Sequence, residues 1–107
     1  MEEWRTEALT ELVLDSEARE DERVDAAMDL CESDDPRARA ALMQVCCEQG
    51  DEYSLTAACA GESLGEVAAR TAPLTVEEST LFRPEALKEY RASYRRFAGV
   101  GKEAIQD

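Results

Sequence analysis

Glu22-Arg23-Val24-Asp25-Ala26-Ala27-Met28-Asp29-Leu30 and, a few residues on, Asp34-Asp35-Pro36-Arg37-Ala38-Arg39-Ala40-Ala41-Leu42 carry the reading of the fold. In the first stretch Arg23, Ala26, Ala27 and Leu30 fall on one side of a helix, with Cys31 beside them. Glu22, Asp25, Asp29 and Glu32 fall on the other side, a division that follows the 3.6-residue period. A strand would need strict alternation. The second stretch opens with a proline suited to the first position of a helix and an aspartate placed to cap its free amides. Helices are therefore expected over 21–33 and 36–48, the latter with a stripe of Ala38, Ala41, Leu42, Val45 and Cys46 and ended by Gly50.

Outward from this centre the pattern repeats. A helix over 3–14 places Trp4, Ala8, Leu9, Leu12 and Val13 on one stripe, so Trp4 is expected under the first helix pair. Asp51 is positioned to cap a helix over 52–70, with Tyr53, Ala57, Ala60, Leu64 and Val67 inward. Gly61 and Gly65 are poor helix formers there and are read as points of close helix contact, with a kink at Gly61 as the alternative. Residues 71–83 read as a loop with one turn from Thr75, which has capping-box spacing to Glu78. Pro84 starts the last helix, 84–98, with Leu87, Tyr90, Tyr94 and Phe97 inward and Lys88, Arg91, Arg95 and Arg96 as a basic flank. The residues beyond Gly99 and Gly101 are expected to fray.

The 107 residues suit one domain, large enough to bury a core without disulfides or a metal. Six aromatic residues and abundant Ala favour closely packed helices over a sheet. The net charge of −13 is uneven: residues 1–35 carry 14 acids and 3 bases, residues 36–78 carry 7 and 3, and residues 79–107 carry 4 and 6. Such an amino-terminal half repels nucleic-acid phosphates and anionic lipid and attracts a basic partner, while the same acidity equally serves to keep a small protein soluble. No stretch approaches the roughly 20 apolar residues of a membrane span. The acidic start Met1-Glu2-Glu3-Trp4 has none of the regions of a secretory signal. The expected location is the cytoplasm, with Cys31, Cys46, Cys47 and Cys59 reduced.

The chain also matches itself. Ala8-Leu9-Thr10-Glu11-Leu12-Val13 aligns with Ala41-Leu42-Met43-Gln44-Val45-Cys46 at an offset of 33, and Ala26-x-x-x-Leu30-x-Glu32 with Ala60-x-x-x-Leu64-x-Glu66 at 34. Ala86-Leu87-Lys88-Glu89-Tyr90 echoes the start of a third unit at 45. Residues 22–68 resemble HEAT repeats, above all the short bacterial kind named after phycobilisome lyases. That pattern pairs Val-Arg-x-x-Ala-Ala-x-Ala-Leu-Gly with Gly-Asp-Pro-Arg-Ala, and this chain has Arg23 to Leu30 followed by Asp35-Pro36-Arg37-Ala38. Between Tyr53 and Gly61 no Arg matches the family's position. The resemblance implies an all-α fold: a short α-α solenoid of two HEAT-like helix pairs with a C-terminal capping helix. It carries no implication of lyase chemistry. It implies that the second helix of each pair lines a concave face, where Asp21, Glu22, Asp25, Asp29 and Glu32 would stand beside Glu62 and Glu66.

Residues that could carry chemistry are few. The chain has no histidine, no Gly-rich phosphate loop and no nucleophile elbow. Cys46-Cys47 are adjacent, without the spacing of a zinc knuckle or redox motif. Asp25 and Asp29 have helical spacing that a divalent cation would tolerate, but such sites draw mainly on loops. No catalytic residue, metal or cofactor is expected. The expected function is recognition of a basic protein by those seven carboxylates, as in an immunity-type inhibitor of a bacterial toxin; a HEAT-type adaptor subunit is the alternative. Neither reading fixes the oligomeric state.

Overall fold

Asp35 opens the third helix by accepting the backbone N–H of Arg37 at 2.8 Å, with Pro36 in the first turn. The computed structural model describes all 107 residues. In chain order the elements are α1 (Glu3–Leu14), α2 (Glu20–Asp29) running into a 3-10 turn (Leu30–Glu32), and α3 (Pro36–Cys46). A second 3-10 turn (Asp51–Tyr53) leads into α4 (Ser54–Arg70), followed by β1 (Leu74–Thr75), α5 (Val76–Ser79), α6 (Pro84–Ala98) and β2 (Ile105–Gln106). The protein is mostly helical, and no helix is long and apolar enough to cross a membrane.

α1 packs on α2 and α3, while α4 packs on α2, α3 and α6. α4 is thus the central element, and its glycines explain how. A methyl group on Gly61 would lie 2.2 Å from the carbonyl oxygen of Ala86, and one on Gly65 would lie 2.7 Å from Cβ of Ser93. α6 therefore lies against α4 at near-backbone distance, as the sequence reading expected. Ser93 Oγ donates to the carbonyl of Glu62 at 2.6 Å across the same contact. Ala26, Leu30, Ala60 and Leu64, which match at an offset of 34, are all buried.

Several local expectations are corrected. α3 ends at Cys46, two residues earlier than expected; beyond it the carboxylate of Glu48 pairs with Arg23 and its carbonyl accepts from Arg83. Gly50, at φ 109°, begins the second 3-10 turn instead of closing α3, and Asp51 lies within that turn and does not cap α4. α1 buries Thr6 and Val13, leaving Ala8 exposed and Trp4 66 % exposed. Clasped by α2 on one flank and α3 on the other, α1 turns its Thr6–Leu9–Val13 side inward, and Trp4 projects from the opposite side. Phe97 is also exposed, whereas Tyr90 and Tyr94 are core.

The carboxyl end does not fray. β2 pairs in parallel with β1, Leu74 opposite Ile105 and Thr75 opposite Gln106. Tyr90 fastens this pair: its hydroxyl accepts the N–H of Leu74 at 3.0 Å and donates to the carbonyl of Ala104 at 2.6 Å. Thr75 and Glu78 form the expected capping box at 3.1 and 2.9 Å.

The last turn of a helix leaves carbonyls without intrahelical donors. α1, α2 and α3 have no basic residue there to help. Distant arginines supply the donors instead. Arg23, only 2 % exposed, donates to the carbonyl of Val13 through Nε at 3.0 Å and Nη2 at 2.7 Å, pairs with Glu48, and lies 5.5 Å from the ring centre of Tyr53. Arg70 donates to the carbonyl of Cys31 at 2.7 Å, Arg83 to that of Glu48 at 3.1 Å, and Arg39 to that of Ala72 at 2.7 Å. The ends of α1 and α2 and the loops that follow α3 and α4 are each tied to a segment remote in sequence.

Candidate functional site

The first turn of α2 carries Glu20, Asp21 and Glu22, where the helix dipole favours carboxylates. Arg19 reaches Asp21 at 3.2 Å and Glu22 at 3.5 Å. Further along, Asp29 and Glu32 share Arg5 of α1 at 3.7 and 3.5 Å. Asp25, between these two clusters, has no ion-pair partner, and all five carboxylates are exposed. Two arginines thus face these five acids along α2 and the 3-10 turn that follows it.

Glu62 and Glu66 project from α4 on the far side of α2's exposed Met28. With Cys31, Ser63, Ser93, Arg96 and Phe97 they line a shallow groove of about 100 Å³ between α2, α4 and α6. Ser63 Oγ donates to the carbonyl of Met28 at 3.5 Å and holds α2 against α4 there. Glu62 is exposed and lies 4.0 Å from Arg96, whereas Glu66 is half-buried. The seven expected carboxylates therefore form two sets, one along α2 and one in the groove, with Met28 between them. Three things are invisible in the local pattern: Arg5 trims the α2 set, Arg96 trims the groove set, and Phe97 joins Met28 as an exposed apolar side chain.

The thiols are held protonated. Burial, reinforced by the carboxylate of Glu66, pushes Cys31 up to about 12. Burial also raises Cys46, Cys47 and Cys59 above the ordinary thiol value, so no cysteine is prepared as a thiolate. No three carboxylates or thiols converge as a metal shell. Comparison with protein-family models, with curated proteins and with solved structures found no match to this chain.

Proposed function

We propose that the chain is a protein-binding module of the HEAT kind, in which α1–α2 and α3–α4 act as stacked pairs and α6 closes the stack. The α2 surface takes a basic protein, in the manner of an immunity-type inhibitor occupying the cationic cleft of a toxin that acts on nucleic acid. One observation carries this reading: five exposed carboxylates, answered by two arginines, lie along α2 and its 3-10 turn, a stretch that also leaves the side chain of Met28 half-exposed. Carboxylates steer a cationic partner and give fast, salt-sensitive association, while an apolar side chain among them supplies an anchor that excludes water. Four free cysteines fit a reducing compartment such as the cytoplasm.

A second reading, an adaptor in a larger assembly, draws on Arg96 and Phe97 at the groove's other wall, which give that surface mixed character. The test uses two immobilised baits at low salt, wild type and Asp25→Lys/Asp29→Lys. The expected result is a basic protein retained by the wild type, released as salt rises, and lost from the variant. Identical captured species and elution profiles on both baits would remove the α2 surface as the interface. A captured set of neutral or acidic subunits would favour the adaptor.

A further inference from the structure

Of the twelve basic side chains, eight form ion pairs and four do not: Lys88, Arg91, Arg95 and Lys102. In a chain with 25 acids, unpaired cations are the exception. Three of those four line one cleft of about 580 Å³ between α6 and the returning tail. Arg91 and Arg95 sit one turn apart on the flank of α6 turned away from Glu62, and Lys102 faces them from the tail. Like charges four residues apart on a helix repel. Neither guanidinium donates a hydrogen bond or forms an ion pair within the protein, so no direct partner offsets that repulsion.

The tail that forms the opposite wall is held in place. Gly99 and Gly101 take positive φ values of 110° and 91°, which turn the chain back, and the β1–β2 pairing with the Tyr90–Ala104 bond anchors it. Val100, Ala104 and Ile105 add an apolar side to the cleft, and Glu103 is its single carboxylate. The local balance is three cations against one anion. The acids of residues 1–35 lie mostly around α1 and α2, on the other side of α4, and at physiological salt charges beyond about 8 Å are largely screened.

We propose that this cleft binds a small phosphate monoester, with Arg91, Arg95 and Lys102 on the phosphate and the Val100–Ile105 side against the organic part. A phosphate monoester carries close to two negative charges at neutral pH and three acceptor oxygens, matching three cationic side chains with a net local charge of +2. A monocarboxylate is saturated by one guanidinium and leaves the others unanswered. The cleft volume lies in the range of small-molecule sites. The assignment is independent of the acidic surface on α2.

The test is calorimetric titration of the intact chain with phenyl phosphate and, separately, with benzoate at the same ionic strength. Phenyl phosphate is expected to bind at least about tenfold more tightly than benzoate, and Arg91→Gln/Arg95→Gln to weaken it by about tenfold or more. Both side chains are exposed, so the variant keeps its fold. Glu103→Gln is expected to tighten binding by removing the one repulsive charge, and Lys88→Gln, outside the cleft, to leave it unchanged. Equal affinity for the two probes, no saturable binding, or an R91Q/R95Q variant that binds like wild type would overturn the assignment. So would concentration-dependent self-association abolished by R91Q/R95Q without phosphate binding, which would make the occupant an acidic segment of a second copy.

Discussion

Replacing Gly61 by alanine tests the central contact of the fold. The new methyl carbon would stand 2.2 Å from the carbonyl oxygen of Ala86, 2.9 Å from its carbonyl carbon and 3.1 Å from its Cα. All three are backbone atoms, so no rotamer change clears the space, and α6 must move about 1 Å to reach an ordinary carbon–oxygen separation of about 3.3 Å. Overpacking of this kind costs about 3 kcal/mol, at the upper end of its usual range. Against that, alanine has a helix propensity better than glycine by about 1 kcal/mol. The net expectation is a loss of about 2 kcal/mol, or a fall in Tm of about 8–16 °C for a domain of this size. Thermal unfolding followed by circular dichroism reads it directly. Gly65→Ala meets Cβ of Ser93 at 2.7 Å and pushes α6 the same way. The double variant should therefore lose less than the two singles together, by at least about 0.5 kcal/mol. A Gly61→Ala protein as stable as wild type or more so, or strict additivity in the cycle, would mean that α4 and α6 do not meet at backbone distance.

Arg23→Met strands the Val13 carbonyl and the partly buried Glu48 carboxylate, and should cost about 3–5 kcal/mol in urea unfolding. Arg23→Lys, lacking the planar fork, should recover only part of that, and full recovery would refute the two-pronged contact on Val13. The fluorescence of Trp4 in the folded protein should be quenched by acrylamide nearly as readily as in urea, and Trp4→Ala should change stability by less than about 0.5 kcal/mol. A well-protected indole would place α1 the other way round. Burial raises Tyr90 from 10.0 to about 12, so the neutral phenol favours the folded state. Its contribution is present below pH 10 and is lost as pH rises through about 12. An ultraviolet phenolate titration should show one tyrosine ionising late, and Tyr90→Phe should abolish that step; a late step that survives the substitution assigns it elsewhere.

The helices were legible wherever period, cap and proline agreed. Pro36 and Pro84 begin α3 and α6 at the expected residues because a proline ring fits the first turn and little else in a helix. Gly61 and Gly65 announced close packing because two glycines one turn apart in a helix otherwise only weaken it. Trp4 misled, since its hydrophobicity spoke for burial while Thr6, a polar residue satisfied by Ser33 at 3.3 Å, took the inward position. That pairing spans 27 residues, and no local window contains it. The same distance hid the partners of the arginines. The period put Arg23 on the inward side of α2, but its partner, and those of Arg39, Arg70 and Arg83, are carbonyls ten to thirty-nine positions away that no local pattern brings beside them. For the site, the acidic side of α2 followed from its period. Its partial neutralisation by Arg5, the pairing of Arg96 with Glu62 in the groove, and the exposure of Met28 and Phe97 are products of packing between helices.

The division of charge gives the two surfaces different physics. On α2, pairing is incomplete because acids exceed bases around it, so a cationic partner meets carboxylates already exposed along one helix. On the outer flank of α6, pairing is absent although acids are abundant in the chain, because the tail that closes the cleft brings one carboxylate and one more cation. The two lie on opposite flanks of α6: Arg96 turns toward the α2–α4 groove, Arg91 and Arg95 toward the tail. α4 separates them as a rigid helix locked to α6 at Gly61 and Gly65. A phosphate monoester in the cleft should therefore leave the on-rate of a basic partner at α2 unchanged at physiological salt, where the Debye length of about 8 Å is shorter than a helix diameter with its side chains. Competition between the two ligands at that salt would show instead that both answer to one continuous field, and that the unpaired arginines belong to the same docking surface as the acids.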